Sequence, residues 1–527
     1  MPVSRGLRIP SGHSSSQPCE WLARSPVSLL ALLLDRECRW RVVSRALTRG
    51  IDSRVGADFQ YSLAASDSGG AFLSRTVFLM ANIQALRGVR FDLSRVGKLS
   101  DVVAPPYDVI DERLQETLYR RHPHNIVRLE LTKTELNEAE ENRYRRAGVA
   151  WRNWRREGIL QLESRPAIYV YHQHFEFEGR QSVRRGFICR LGLERFGQGS
   201  VYPHEETHAR AKQDRLHLLR ESRANLSPIL GLYEDYLGEV QELLESAIAD
   251  RTPLEAHDEE GNRHLVWIVT DIGVISRAAD LMGERAIFIA DGHHRYETAC
   301  DYRDELVKAA GGSLPAEHPA NYALMACFGM SDPGLVVLPT HRLFRGVPPI
   351  RSAELIERLG EAFECEVVGH RPSAAEEVWT QIELEGHAGT IGLYTRLDDT
   401  WTLIRLTAMG SELMDRSSKH SPEWNSLSVS LLHGLVLEQL LGMGKLPSPL
   451  YVRTAAEVEQ AILTGDSGTR DATGQTRSGE DFQLAALVLP PRVEDVQLVS
   501  LQGERMPPKS TFFYPKLLTG LVMNPLD

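Results

Sequence analysis

The chain has 527 residues, enough for two or three domains, and its 42% hydrophobic and 25% charged content is ordinary for a globular protein. Net charge is −11, yet residues 1–79 hold ten Arg, no Lys and six acids, so the remainder carries about −15. That balance excludes a broad nucleic-acid surface while leaving room for a small basic pocket, and no stretch approaches the roughly 20 apolar residues of a membrane span.

Residues 1–79 are rich in Ser and Arg and show no sustained period. Leu29 to Leu34 faintly resembles a signal-peptide core, but Asp35-Arg36-Glu37 stands where a small-residue cleavage site belongs. The expectation is a start set too early, with Met80 the true first residue, or else a disordered leader. Six scattered cysteines (Cys19, Cys38, Cys189, Cys300, Cys327, Cys365) without CxxC spacing read as reduced thiols of a cytoplasmic protein.

From Ala81 onward the pattern is that of a folded protein. Val102 to Ile110 predicts a strand running into a Pro-Pro turn, Asp111 an N-cap, and Glu112 to Arg121 a helix. Asn125 to Leu131 reads as a strand. Asn137 to Glu157 reads as an amphipathic helix with Trp151 and Trp154 in the core. Ala167 to Phe177 and Ser182 to Glu194 alternate in type around Gly179-Arg180, the signature of a hairpin. Glu206 to Glu221 predicts a charged helix. Ile229 to Tyr233 and Leu265 to Thr270 predict strands around a helix at Gly238 to Ala249. An apolar strand ends at Ala290 and a helix follows from Tyr296 to Ala310. Tyr322 to Phe328 and Leu335 to Leu338 are strands, and helices and strands alternate beyond 350. The loop 464–479 is polar and glycine-rich. The expected fold is α+β, a mixed-sheet core with surrounding helices, in parts 80–235, 236–348 and 349–527.

Chemistry concentrates at strand ends. Asp291-Gly292-His293-His294-Arg295 lies between a buried strand and a helix, a geometry that offers backbone N–H groups and a helix N-terminus to an anion. There Asp291 could act as base or hold Mg2+, His293 and His294 could donate or exchange protons, and Arg295 could grip a phosphate bidentately. A second cluster runs from His204 to Arg215 and contains His204-Glu205-Glu206-Thr207-His208, the spacing of zinc proteases. Pro203 and the charged continuation Arg210-Ala211-Lys212-Gln213-Asp214-Arg215 fit phosphate and metal handling better than a zinc helix. Asp108 after Pro105-Pro106-Tyr107 and Lys509 in Lys509-Ser510-Thr511 are further candidates, as is Thr340-His341-Arg342 at another strand end. His433 lies in an apolar helix and reads as a core histidine.

The chain resembles the domain of unknown function 1015 family of prokaryotic proteins. The likeness is carried by Ala104 to Ile110, Tyr202-Pro203-His204-Glu205, Lys212 with Asp214-Arg215-Leu216, Asp291 to Thr298, and Met506 to Thr511, and it runs from about Ile83 to Val522. The turn Asp291 to Arg295 is in addition similar to the signature of the ParB and sulfiredoxin superfamily, which includes an ADP-dependent serine kinase. This second resemblance implies a turn that handles nucleotide phosphates, with Asp291 and His294 as acid/base groups.

The combined expectation is a phosphotransferase or phosphohydrolase acting on a small phosphorylated metabolite, serine or phosphoserine, with ADP or ATP and Mg2+. Asp291, His294, Glu205 and Asp108 are the candidate catalytic groups. Gly292, His293, Arg295, Lys212, Arg215 and Lys509 are the phosphate or nucleotide binders, and His204 and Asp214 the metal ligands. The alternatives are a metal-dependent hydrolase built on His204, Glu205 and His208, and a non-catalytic nucleotide or metabolite sensor. Neither nucleic acid nor membrane is expected as a partner.

Overall fold

The computed structural model describes residues 81–465 and 482–527 except 136 and 140, together with four two-residue strands between 33 and 74. The expectations for residues 1–79 and for nearly all of the loop 464–479 lie outside the described residues. The chain divides into Met1–Thr76 and Val77–Asp527, and the second unit holds both large sheets.

Apolar runs bounded by polar turns build a nine-stranded mixed sheet. Its strands are β1 (Ile83–Gln84), β2 (Ile168–Phe177), β3 (Arg180–Gly192), β4 (Val201–Pro203), β5 (Ile229–Tyr233), β6 (Leu254–His257), β7 (Arg263–Val269), β8 (Ile287–Asp291) and β9 (Tyr322–Gly329). The order is β4-β8-β5-β9-β3-β2-β7-β6, with β1 beside β3. Two pairs are parallel, β4 with β8 and β5 with β9; the others are antiparallel. Strands β5 and β9 are buried along their whole length, as expected of strands covered on both faces. Each Ile, Leu or Phe removed from water in this way stabilises the fold by roughly 1.5–3 kcal/mol.

The expected hairpin is present as β2 and β3, in register from Tyr169 opposite Ile188 to Phe177 opposite Arg180. The helix carrying Trp151 and Trp154 forms as α1 (Glu141–Arg156) and buries both tryptophans. Asp111 caps the helix Glu112–Arg121, accepting from the Leu114 N–H at 2.7 Å. Residues 125–131 correct the expectation of a strand. Asn125 accepts from the Val127 N–H and donates to the carbonyls of Asp101 and Val103, and this side-chain capping turns Val127–Glu130 into a short helix.

The second sheet has six strands: β11 (His341–Phe344), β12 (Phe363–His370), β13 (Thr390–Thr395), β14 (Thr400–Leu406), β15 (Leu450–Val452) and β16 (Leu484–Leu487). Their order is β12-β14-β13-β16-β11-β15, antiparallel throughout. A two-stranded ribbon, β10 (Val336–Leu338) with β17 (Phe512–Tyr514), brings the C-terminal segment back. The architecture is α+β with mixed-sheet cores, as expected. Among the described residues no helix is long and apolar enough to cross a membrane.

Candidate active site

Because β4 and β8 are parallel neighbours, their C-terminal ends lie side by side. His204 and Glu205 leave the end of β4, while Gly292 and His293 leave the end of β8. The segment 506–511 closes the third side: the Met506 N–H donates to the His204 carbonyl at 2.7 Å, and the Lys509 N–H to Glu205 Oε1 at 3.1 Å. Residues 89 to 304 positions apart therefore meet at adjacent strand ends.

Helix α3 (His293–Ala309) starts two residues after β8, earlier than the apolar pattern predicts, so both histidines sit in its first turn. Gly292 makes the turn possible. Its φ is +92°, and a Cβ there would lie 2.8 Å from the Arg295 guanidinium. Arg295 folds back over this gap. One Nη donates to the Pro228 carbonyl, the other lies 3.4 Å from Asp291, and Nε is buried without a partner. The bidentate phosphate grip expected of Arg295 is therefore already spent on the turn itself.

Asp291 is the electrostatic centre. Lys516 Nζ lies 3.7 Å from its carboxylate. Burial alone would raise its pKa, but Lys516, Arg295 and Lys509 outweigh burial and hold it at about 2. A carboxylate so firmly ionised is a weak general base, and its service is to hold cations. The protein around Lys509 disfavours its charge, yet Asp108, Glu205 and Asp291 raise its pKa and keep it an ammonium. Three of the expected carboxylates thus act on the charge of the expected lysine. Lys516 was missed in the sequence, where a lone lysine after an aromatic run and a proline carries no signal.

Hydrogen bonds fix the orientation of each histidine ring. His204 Nδ1 lies 2.8 Å from the Ile289 carbonyl and donates to it, which leaves Nε2 to accept from the Thr511 hydroxyl at 2.9 Å. The His204 backbone N–H donates to His293 Nε2 at 3.3 Å, so His293 turns Nδ1–H toward Glu205 Oε2, 4.0 Å away. The His208 N–H donates to His294 Nε2 at 2.9 Å and the two rings stack, leaving His294 Nδ1–H as a donor. Burial pushes the pKa values of His204, His293 and His294 below the usual histidine value, and all three are neutral at pH 7.

The two-histidine helix of a zinc protease is not formed. Helix α2 spans Ala209–Ser222, with His208 as its N-cap residue and His204 back in extended chain, so the two imidazoles do not share a helix face. The expected metal ligands His204 and Asp214 are also apart and committed. Asp214 accepts from Arg143 and Tyr144 at 2.6 Å each and from Arg215 at 2.7 Å. Among the described residues no group of three or more His, Cys, Asp or Glu is arranged to hold a metal ion. Arg215 is buried between Asp214 and Glu130, with its guanidinium 4.0 Å from the Tyr107 ring centroid, and lines a cavity together with Arg295. Lys212 pairs with Glu297 at 3.2 Å on the α2–α3 flank, outside the Lys509 cluster.

Residues 83–430 match the family described as protein of unknown function (DUF1015). No curated protein matches the chain. Solved structures with some likeness include a free serine kinase mutant in complex with ADP, 14% identical over 60% of this chain and 84% of that one, with a TM-score of 0.28. A conserved hypothetical protein from Pyrococcus furiosus is 14% identical over 60% of this chain and 89% of that one, TM-score 0.26. SbnI from Staphylococcus aureus is 11% identical over 63% and 85%, TM-score 0.27.

Proposed function

We propose that this chain, which belongs to the DUF1015 family of proteins of unknown function, transfers or hydrolyses a phosphoryl group on a small phosphorylated metabolite, with ADP or ATP as nucleotide. One observation carries the reading: Lys516 and Arg295 pair with Asp291 at 3.7 and 3.4 Å beside the start of α3, and Lys509, whose N–H is held by Glu205 at 3.1 Å, adds its charge to the same field. Phosphoryl transfer demands positioning and charge neutralisation more than covalent chemistry, and this is what the cluster offers. Lys509 and the first N–H groups of α3 neutralise phosphate oxygens. His294 donates from Nδ1. Glu205, oriented by the Lys509 N–H and His293, accepts the proton of the attacking hydroxyl or water. Asp291 keeps the cations in place.

The donor set for a divalent cation is two carboxylates, Asp108 and Glu205, beside a competing ammonium. That set fits Mg2+ arriving with nucleotide phosphates and retaining its waters, and does not fit a resident metal. A bound Mg2+ would supply further neutralisation of phosphate charge there.

Exchange of labelled phosphate between ADP, ATP and a panel of amino acids, serine and phosphoserine first, tests the reading. Glu205→Gln is expected to slow exchange or phosphate release by about 100-fold or more, the usual size of a general-base contribution, while ADP binding persists. Saturable ADP binding with no turnover on any member of the panel would instead make the protein a sensor and end the enzymatic reading.

A further inference from the structure

Two arginines stand apart from every ion pair of the site and yet touch the segment that completes it. Arg184 lies on β3 of the first sheet and Arg342 on β11 of the second, and both are fully buried. Arg342 donates to the carbonyls of Thr340 at 2.5 Å, Lys509 at 3.0 Å and Pro508 at 3.3 Å. Arg184 donates to its cross-strand partner Gln173 at 2.9 Å, to the Tyr514 carbonyl at 3.3 Å and to the Pro515 carbonyl. Gln173 in turn donates to the Lys516 carbonyl at 2.9 Å.

A buried guanidinium is costly, and these two meet carbonyl dipoles rather than a carboxylate. Burial lowers both pKa values to about 10, which still leaves them charged at neutral pH. A fold seeking stability alone is served as well by an apolar side chain of the same volume. The two sites share one consequence. Each pins the backbone of a lysine in the active site: Lys509, held at φ +58°, and Lys516, whose ammonium reaches Asp291.

We propose that Arg184 and Arg342 are positioning residues, one from each sheet, which clamp the carbonyls of segment 508–516 and thereby aim Lys509 and Lys516 into the anion site. The second sheet then takes part in the site through Arg342. What the lysines do there rests on the phosphoryl-transfer reading; the clamp does not.

The experiment measures per-residue rates of reductive methylation by mass spectrometry, together with binding of inorganic phosphate and ADP by calorimetry. Arg342→Met, which keeps the volume and removes the donors, is expected to change the methylation rate of the exposed Lys509 and to weaken phosphate binding by about tenfold, the scale of one charged hydrogen bond. Arg184→Met does the same at Lys516. Arg342→Lys and Arg184→Lys, which keep a donor, fall between and serve if a methionine variant does not fold. Unchanged lysine rates in folded variants overturn the clamp, even where phosphate still binds. Altered lysine rates in a protein that binds neither phosphate nor ADP uphold the clamp and sink the phosphoryl-transfer reading instead.

Discussion

In the nine-stranded sheet two parallel strands end side by side, at Pro203 and Asp291, whereas in the six-stranded sheet every neighbour is antiparallel and no two adjacent strands end together. The polar residues follow that difference. At the parallel ends, histidines, carboxylates and lysines from four chain segments face one another across a turn and a helix N-terminus. In and beside the antiparallel sheet, polar side chains do not gather in this way: Nε2 of His341 on β11, Nε2 of His433 on the helix Leu431–Leu440 and Nε of Arg342 are buried without partners. Topology and residue type act together: loops leaving adjacent parallel strands converge, but β5 and β9 are also parallel and end together at Tyr233 and Gly329, so it is the histidines, carboxylates and lysines at the β4 and β8 ends that make this pair the candidate site.

The sharpest way to break this comparison is to remove the charge on which the parallel ends depend. Asp291 has its pKa depressed from about 3.8 to about 2, so the folded state binds its proton less tightly than the unfolded state. Its stabilising contribution is fully present above about pH 4 and is lost as pH falls toward 2. The shift corresponds to about 2 kcal/mol. Asp291→Asn is expected to lose that stability at pH 7, to abolish measurable phosphate binding, and to lack this part of the acid limb in urea unfolding between pH 4 and 2. If wild type and variant share the same acid limb, Asp291 is not the anchor of the cluster.

A smaller perturbation tests the turn alone. Gly292→Ala places a Cβ at φ +92° and within 3 Å of the Arg295 guanidinium. It is expected to cost about 1–2 kcal/mol from backbone strain and to weaken phosphate binding by displacing Arg295. A melting temperature equal to that of wild type would show that Arg295 moves aside freely and that the glycine serves no close approach.

Much of this was legible in the sequence, and the gaps have physical causes. The strand–turn–helix around Asp291, the hairpin at Gly179 and the burial of Trp151 and Trp154 follow from period and turn chemistry, which act locally. The similar settings of Asp108, Glu205, Asp291 and Lys509 hint at their grouping, but strand order is a long-range property that no local pattern supplies. That Arg215 pairs with a buried Glu130 and Asp214 with Tyr144 was not legible, because an Asp-Arg pair looks alike whatever it faces. The early start of α3 depends on Gly292 adopting the left-handed region, which the residue permits but does not require. Lys516 and Arg184 had no local signal, and Arg342 showed only as a polar group at a strand end, for the meaning of all three lies in the carbonyls or carboxylate of a distant segment.

The mildest test falls on the second sheet, where the comparison predicts a stability effect without a binding effect. His433 packs near Phe344, and burial, with Arg342 adding to it, lowers its pKa to about 3. The folded state therefore refuses a proton that the unfolded state accepts below pH 6.5. Stability is intact above that value and falls as pH drops from 6.5 toward 3, by about 1.4 kcal/mol per pH unit once the unfolded histidine is charged. At pH 5 the loss is about 2 kcal/mol. His433→Leu has similar volume and no titrating group, and its ring nitrogen Nε2 leaves no hydrogen bond behind to break. The variant is expected to match wild type within about 1 kcal/mol at pH 7, to lose less stability between pH 7 and 5, and to bind phosphate unchanged. Equal losses between pH 7 and 5 would mean that His433 opens to water before it titrates. A change in phosphate affinity would mean that the core of the second sheet, and not Arg342 alone, reaches the site.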